Sequence, residues 1–279
     1  MNISTKNQNT WCPGCTNFQL LESVKIAISN MIKKGAKKEE FAMSTGIGCH
    51  AKIFDYLDIS GLYGLHGRAI PAALGMKLGN PGLKVLAFAG DGDTYSEGME
   101  HFMHAFRHNP DITLIVHDNR DFSLTGGQPS STTQQGYRSK VQPFGEMDEP
   151  FNPIIMALAA GAGFVARCNA RDVDHTAGII EKAVNYKGFA FIEVIQDCMI
   201  FNTGMNNLDE RMYKVSNRDI NKAWQLAGEW DYNGNSVKSF QCAKNSLGIF
   251  QHNSKDSRIP IGIIFSKEKK TLEEKQKIL

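Results

Sequence analysis

The chain has 279 residues, 42% of them hydrophobic, and a formal charge of +2, which allows one large α/β domain or two small ones with a real core. That near-neutral balance, with no basic stripe interleaved with aromatics, gives nucleic-acid binding no support. Met1-Asn2-Ile3-Ser4-Thr5-Lys6 lacks a signal peptide's apolar core, and no run approaches the roughly 20 apolar residues of a membrane span; a cytoplasmic protein is expected, its six cysteines thiols or metal ligands rather than disulfides.

In chain order, the first feature is Trp11-Cys12-Pro13-Gly14-Cys15, two cysteines on a Pro-Gly turn ahead of any long element. Thioredoxin-like chemistry would set such a pair after a strand and at the head of a helix, but only polar sequence precedes it. A zinc ribbon would need a second Cys-x-x-Cys, which the chain lacks. Single cysteines follow at strand ends, Cys49 in Gly46-Ile47-Gly48-Cys49-His50 and Cys198 in Ile195-Gln196-Asp197-Cys198. Four thiolates from three segments suit a [4Fe–4S] cluster; on the residues alone, zinc and simple burial stay open.

Phe18 to Ile32 carries Leu21, Val24, Ile28 and Met31 at spacings of three and four, the stripe of an amphipathic helix on a sheet. Lys33 to Glu40 is its charged exit, and Phe41–Thr45 reads as a strand feeding Gly46-Ile47-Gly48-Cys49. His66-Gly67-Arg68 then leads an Ala/Gly-rich helix to Leu78; a lone His here reads first as a packed, hydrogen-bonded side chain. The apolar run Val85–Ala89 is a buried strand ending in Gly90-Asp91-Gly92-Asp93, and after a helical stretch through Arg107 the strand Thr113–His117 delivers Asp118-Asn119. Both polar clusters fall at carboxyl ends of strands in a βαβ unit, where α/β sheets bind ligands. Two glycines around Asp91 let backbone approach phosphate oxygens, and the following helix N-terminus is expected to offer free N–H groups. Mg²⁺ takes oxygens at about 2.1 Å, usually one or two carboxylates with phosphate and water; Asp91 and Asn119 supply such oxygens. His101, His104 and His108 share a helix face beside Phe102, Ala105 and Phe106 and read as a polar or interface face rather than a metal site.

Beyond the turn at Asn119, Pro153 sits in the first turn of a helix to Ala162. Phe164–Arg167 and Phe189–Ile195, with a helix from Asp172 to Tyr186 between them, complete a doubly wound, mostly parallel α/β sheet. After Asn202 only Ile259–Phe265 reads as a strand; Asp231 to Arg258 is polar and reads as a surface extension, and Lys267 to Leu279 as a charged tail or terminal helix.

Gly-Asp-Gly, 25 residues (93–117) and Asp118-Asn119 together resemble the thiamine-diphosphate signature, with Asp118 in place of its first Asn, a position that is not a metal ligand in that family. Phe122-Ser123-Leu124-Thr125-Gly126-Gly127-Gln128 resembles the family's loop over the diphosphate, with Phe122 and Ser123 departing from Tyr-Gly. Trp-Cys-x-x-Cys, Gly-Ile-Gly-Cys and Cys198-Met199-Ile200-Phe201-Asn202 narrow the likeness to the β subunit of the 2-oxoacid:ferredoxin oxidoreductases, of the pyruvate or 2-oxoglutarate type. The resemblance is nearly continuous from Trp11 to Asn202 and patchy afterwards. It implies a thiamine-diphosphate-binding domain over residues 1–202, with 203–279 as an extension packing on it.

The resemblance also implies site residues. Mg²⁺ is expected on Asp91, Asn119 and the carbonyl of Asp121, and the cofactor against Gly48, Cys49, His66, Gly90, Asp91, Gly92, Asp93, Leu124 and Thr125. His66 and Arg68 become the active-site segment, and Lys52 and Leu124 the positions that help select the oxoacid. Cys12, Cys15, Cys49 and Cys198 become ligands of a [4Fe–4S] cluster; Cys168 and Cys242 match no ligand position. The implied reaction is oxidative decarboxylation of a 2-oxoacid to acyl-coenzyme A and CO₂, with electrons passed through the cluster to ferredoxin. An α subunit is the implied partner, because the carboxylate that activates the cofactor's aminopyrimidine lies on a different domain in the family. A non-oxidative thiamine decarboxylase or synthase would predict no cluster. An electron-transfer subunit with a degenerate cofactor site would predict loss of Asp91 or Asn119, and both are present.

Overall fold

Strands form where β-branched and aromatic residues run together between Gly, Asn and Lys breakers. In the computed structural model, which describes residues 3–202, 209–230, 232, 236–237, 252–253 and 258–276, these runs are β1 (Phe41–Thr45), β2 (Ser60–Tyr63), β3 (Lys84–Gly90), β4 (Ile112–Asp118), β5 (Phe164–Asn169), β6 (Ala190–Ile195), β7 (Met212–Ser216) and β8 (Ile259–Ser266). They make one eight-stranded sheet in the order β2-β1-β3-β4-β6-β5-β8-β7. The first six are mutually parallel; β8 runs antiparallel to β5 and parallel to β7.

Helices cover both faces: α1 (Asn17–Lys33), α2 (Ala69–Gly79), α3 (Met99–His108), α4 (Pro153–Ala159), α5 (Val173–Asn185), α6 (Ile220–Gly228) and the short α7 (Leu272–Gln276). The strand alternation sorts the core into two layers. Leu86, Phe88, Ile115, Ile192 and Val194 face α1 and α5, while Val85, Ala87, Leu114, Val116 and Phe191 face α2, α3, α4 and α6. Helix ends carry the side chains that stop them. Asn152 caps α4 with Pro153 in its first turn, Asp172 caps α5 by accepting from the His175 N–H, and Asn109 closes α3 in the left-handed region.

Three expectations change. The α-helix after the acidic turn does not start there: Gly92–Ser96 is a π-helical turn and α3 begins at Met99. The break falls where the backbones of Gly67 and Gly98 press together; a Cβ on Gly98 would lie 2.9 Å from the Gly67 carbonyl oxygen. A second strand, β7, follows Asn202; its mixed, half-exposed Met-Tyr-Lys-Val-Ser carries the weak signal of a sheet edge. The helix opening at Pro153 ends at Ala159, short of Ala162. Most of the polar stretch 231–258 lies outside the described residues.

Chain direction reverses about β1: from β1 the chain moves to β2 at one side, then crosses to β3 at the other. Such a switch point opens a crevice at the carboxyl ends of the strands. Beneath it, the rings of Phe102, Phe106 and Phe191 interlock edge to face, with centroids 4.8 Å to 6.1 Å apart. Phe191→Ala should lower the free energy of unfolding by about 3–5 kcal/mol, read as a shift of the urea midpoint.

Candidate functional site

The crevice at the switch point is a cleft lined by Ile47, Gly48, Cys49, His50 and His66 from the β1 side, Gly90 to Asp93 at the end of β3, His117, Asn119 and the 121–125 loop at the end of β4, and Asn17 and Gln196. The Gly-Asp-Gly turn and Asn119 therefore share one wall although 28 residues apart in sequence number.

Acidic residues lie in and behind the cleft lining, which holds Asp91 and Asp121 but not Asp118. Asp91, Asp118 and Asp121 are all at most 4% exposed. Burial pushes the Asp91 carboxyl up to about 7, against the Ser130 hydroxyl, which donates to it, and with the charge of Asp121 adding to the rise. Burial, then the charges of Asp91 and Glu193, hold Asp118 well above the usual carboxylate range. Burial raises Asp121 to about 6, although the Ser123 and Cys198 side chains oppose it. One oxygen of Asp118 and one of Asp121 have no hydrogen-bond partner. Hydroxyls orient the rest: Thr132 donates to Asp118 at 2.8 Å and to Asp91 at 3.3 Å. Asn119 points its amide nitrogen at Ser123 Oγ, 2.7 Å away, and accepts the Asp121 N–H with its oxygen at 3.2 Å. Buried carboxylates that repel one another, with an amide oxygen and a backbone carbonyl beside them, form an all-oxygen set that suits a hard cation shared with phosphate. Among the described residues no three His, Cys, Asp or Glu converge on one ion-sized point, so further donors would have to come from a ligand.

Asp93 faces the other wall. It accepts the Gly67 N–H at 2.6 Å and lies 3.2 Å from His50 Nε2, outside hydrogen-bond geometry, and 3.5 Å from His66 Nδ1. Burial works to raise its pKa, but the His50 imidazole, the Gly67 N–H and His66 outweigh it and the net direction is down. Gly90 and Gly92 leave room for side chains of this chain. A Cβ on Gly90 would come within 2.8 Å of His50, and one on Gly92 within 2.4 Å of the Phe122 ring.

Leu124 and Thr125 stand on the cleft lining near its mouth, with Leu124 half exposed. Two expected residues are elsewhere. Lys52 sends its amine to the Thr10 carbonyl at 3.3 Å and bears on Cys49, and Arg68 is exposed and bonds the Gly67 and Glu97 carbonyls; neither lines the cleft. His50, His117, Asn17 and Gln196 line it unannounced. His117 Nδ1 meets Asn17 Oδ1 at 2.8 Å, an oxygen that also accepts from Gln196, so the ring donates at Nδ1 and its Nε2 is left without a partner. A polar residue inside an apolar strand run, two before Asn119 and hence on its face, was the available signal.

The cysteines adjoin this cleft. Trp11 donates its indole N–H to the Cys49 carbonyl at 2.6 Å, which ties the Cys12–Cys15 turn to the end of β1. Cys15 feels the charges of Cys12 and Cys198, and Cys49 those of Cys15 and Cys198, so the four thiols are electrostatic neighbours. Burial, then Cys15, pushes the Cys49 thiol up to about 12. The Phe201 N–H donates to Cys198 Sγ at 3.4 Å. No three of the four gather round a single ion.

The fold and the acidic cleft are those of a thiamine-diphosphate enzyme domain, and the family profile "Thiamine pyrophosphate enzyme, C-terminal TPP binding domain" matches residues 46–194. The chain is 38% identical over 268 residues to the 2-oxoacid:ferredoxin oxidoreductase subunit beta of Saccharolobus solfataricus, covering 93% of this chain and 82% of that one. It is 39% identical over 188 residues to the 2-oxoglutarate synthase subunit KorB of Archaeoglobus fulgidus, covering 67% and 69%. A solved structure, the 2-oxoglutarate:ferredoxin oxidoreductase from Magnetococcus marinus with 2-oxoglutarate, coenzyme A and succinyl-CoA bound, superposes with a TM-score of 0.84 at 27% identity, covering 99% of this chain and 87% of that one. The chain belongs to the family of 2-oxoacid:ferredoxin oxidoreductase β subunits.

Gly46 abuts the cleft's second wall so closely that a Cβ would fall 1.7 Å from the Asp93 carboxylate. Gly46→Ala should therefore displace Asp93 and weaken cofactor binding at least tenfold, about 1.4 kcal/mol; calorimetric titration with thiamine diphosphate checks it.

Proposed function

We propose that this chain is the cofactor-binding half of a coenzyme A-dependent 2-oxoacid:ferredoxin oxidoreductase, which converts a 2-oxoacid such as pyruvate or 2-oxoglutarate to acyl-coenzyme A and CO₂. One observation carries the reading: Cys49, a member of the cysteine group, lines the same cleft as Asp91 and Asn119. An electron acceptor on those cysteines would thus adjoin the site of decarboxylation. Bound there, thiamine diphosphate supplies the electron sink that lets a 2-oxoacid lose CO₂, and a [4Fe–4S] cluster takes up single electrons.

The chain's own residues have distinct tasks. Asp91, Asn119 and the Asp121 carbonyl would hold Mg²⁺, and the cation would supply the countercharge that the buried carboxylates lack. Ser130 and Thr132 both donate to one Asp91 oxygen, Oδ2, which leaves the other for the cation. Asp93 holds His66 at the cleft wall through their 3.5 Å contact. Leu124 and Thr125 wall the substrate side, and Cys12, Cys15, Cys49 and Cys198 ligate the cluster. Lys52, whose charge bears on Cys49, and Arg68, at the head of α2, would meet substrate only once the second chain is in place. The α subunit completes the cleft and excludes water, and ferredoxin receives the electrons. The family argues against the non-oxidative reading, and the paired Asp91 and Asn119 against a pure electron-transfer subunit.

The test is anaerobic co-purification with the α chain. Oxoacid- and coenzyme A-dependent reduction of ferredoxin or viologen should require both chains, and turnover by this chain alone would sink the reading. Asp91→Ala should lose thiamine diphosphate on desalting while the fold persists. Iron and sulfide should approach about four of each per chain, unchanged in Cys168→Ser and lost in Cys198→Ser; zinc instead of iron would overturn the cluster.

A further inference from the structure

Among the described residues three non-glycines have positive φ: Asn109 at 57°, Arg120 at 61° and Tyr232 at 66°. Asn109 caps a helix, a place where asparagine tolerates the left-handed region. Arginine and tyrosine do not favour it, and a fold that keeps two such residues must hold them there by other contacts. These two hold each other. Arg120 Nη1 donates to the Tyr232 carbonyl at 3.5 Å, and both residues are essentially unexposed.

The contact is part of a buried stack. Trp230 and Tyr232 lie ring on ring at 4.1 Å, and the Arg120 guanidinium sits 4.5 Å from the Trp230 ring centre, cation–π contact in a site closed to water. The stack is anchored independently of Arg120. The Tyr232 hydroxyl donates to Glu193 at 2.6 Å and accepts from Arg167 at 2.7 Å, and Asn152 donates to the Trp230 carbonyl at 3.0 Å.

Arg120 stands between Asn119 and Asp121, whose side-chain oxygen and backbone carbonyl are the proposed cation ligands. Its own peptide groups are tied on both sides: its N–H donates to Asp118 Oδ1 at 3.1 Å, and its carbonyl accepts from Thr133 Oγ1 at 2.6 Å. Left-handed backbone at this one residue bends the chain where those two ligands meet. Relaxing Arg120 into an ordinary region would swing the Asp121 carbonyl away from Asn119.

We propose that Arg120, clamped by Trp230 and Tyr232, is the positioning residue of the cation-binding turn, and that the chain beyond Asn202 thereby sets the geometry of the cofactor site. The inference rests on the reading of Asp91, Asn119 and Asp121 as the Mg²⁺ site. The rival role for Arg120 is to neutralise Asp118 by charge alone.

The experiment titrates Mg²⁺ by calorimetry into the co-purified complex at saturating thiamine diphosphate, with melting temperatures measured beside it. Arg120→Ala keeps a Cβ in the disfavoured region without the clamp and should weaken Mg²⁺ binding about tenfold. Arg120→Gly adopts positive φ freely and should stay within about threefold of wild type, though the guanidinium is gone. Trp230→Ala should weaken binding like Arg120→Ala, and Trp230→Phe, which keeps an aromatic face, should restore it. Should Trp230→Ala fail to fold, the Arg120 pair decides. Equal losses in Arg120→Ala and Arg120→Gly would assign the effect to charge and overturn the proposal. So would lower melting temperatures with Mg²⁺ affinity unchanged throughout. If Asp91→Ala abolishes binding while every Arg120 and Trp230 variant binds as wild type, the site reading stands and this inference alone falls. No Mg²⁺-dependent cofactor binding in wild type would overturn both.

Discussion

Buried acidic groups at the carboxyl ends of β3 and β4 and within β6 are the constraint that the rest of the molecule answers. Asp91, Asp118 and Glu193 come from three neighbouring strands, with Asp121 just beyond, and all four are buried. Among the described residues two buried guanidiniums, Arg120 and Arg167, stand beside them. Arg167 is committed to Glu193, its register partner across β5 and β6, at 2.6 Å. Arg120 offsets part of the charge on Asp118. Asp91 and Asp121 remain on the cleft side with hydroxyl donors, which orient a carboxylate without neutralising it. Both carboxyls are raised, Asp91 to about 7 and Asp121 to about 6, so a cation bound beside them would draw them back to the ionised form. A buried acid with no cation of its own is poor for stability and good for binding, which is the sense in which this floor is functional.

The topology explains why the answer is built from distant pieces. At the switch point each neighbouring strand ends in a loop that turns away from the next, and the gap between them receives residues from the ends of β1, β3 and β4 together. Glycines at this junction do more than admit a ligand. Gly46, Gly90 and Gly92 are crowded by Asp93, His50 and Phe122 respectively, so the motif packs the cleft walls before any phosphate arrives. The same rim carries the cysteines, because Gly48-Cys49 is the loop that leaves β1 and Trp11 pins the Cys12–Cys15 turn against it.

Much of this was legible in the residues, for local reasons. Buried parallel strands are short apolar runs with clear stops, and Val85–Ala89 and Thr113–His117 each grew by only a residue or two at their ends. The Gly-Asp-Gly turn and Asn119 lay on one cleft because both end such strands. Side-chain direction was not legible. Lys52 and Arg68 match family positions, yet their amine and guanidinium turn to backbone carbonyls outside the cleft. Partnerships across long separations were hidden as well: nothing local joins His117 to Asn17, or Arg120 to Trp230, since those contacts exist only once the sheet has formed. Edge strand β7 was missed for the opposite reason, because a half-exposed strand has no apolar run to declare it.

The opposite edge of the sheet bears on the assembly proposed above. In β2 all four residues are exposed, with Leu62 and Tyr63 among them, and Leu65 just beyond is exposed too. Its outer row of peptide groups is unpaired by any strand among the described residues. Natural sheets shorten, charge or cover such an edge because it otherwise pairs with other chains. This one is four residues long and carries no charge from Ser60 to Tyr63. His66 and Leu124 stand nearby on the cleft, Leu124 with half its surface bare. A second chain laid over β2 and the cleft mouth would cover the exposed edge, bury these apolar side chains and shut water out of the cofactor site in one contact, which is the surface the α subunit proposed above would take.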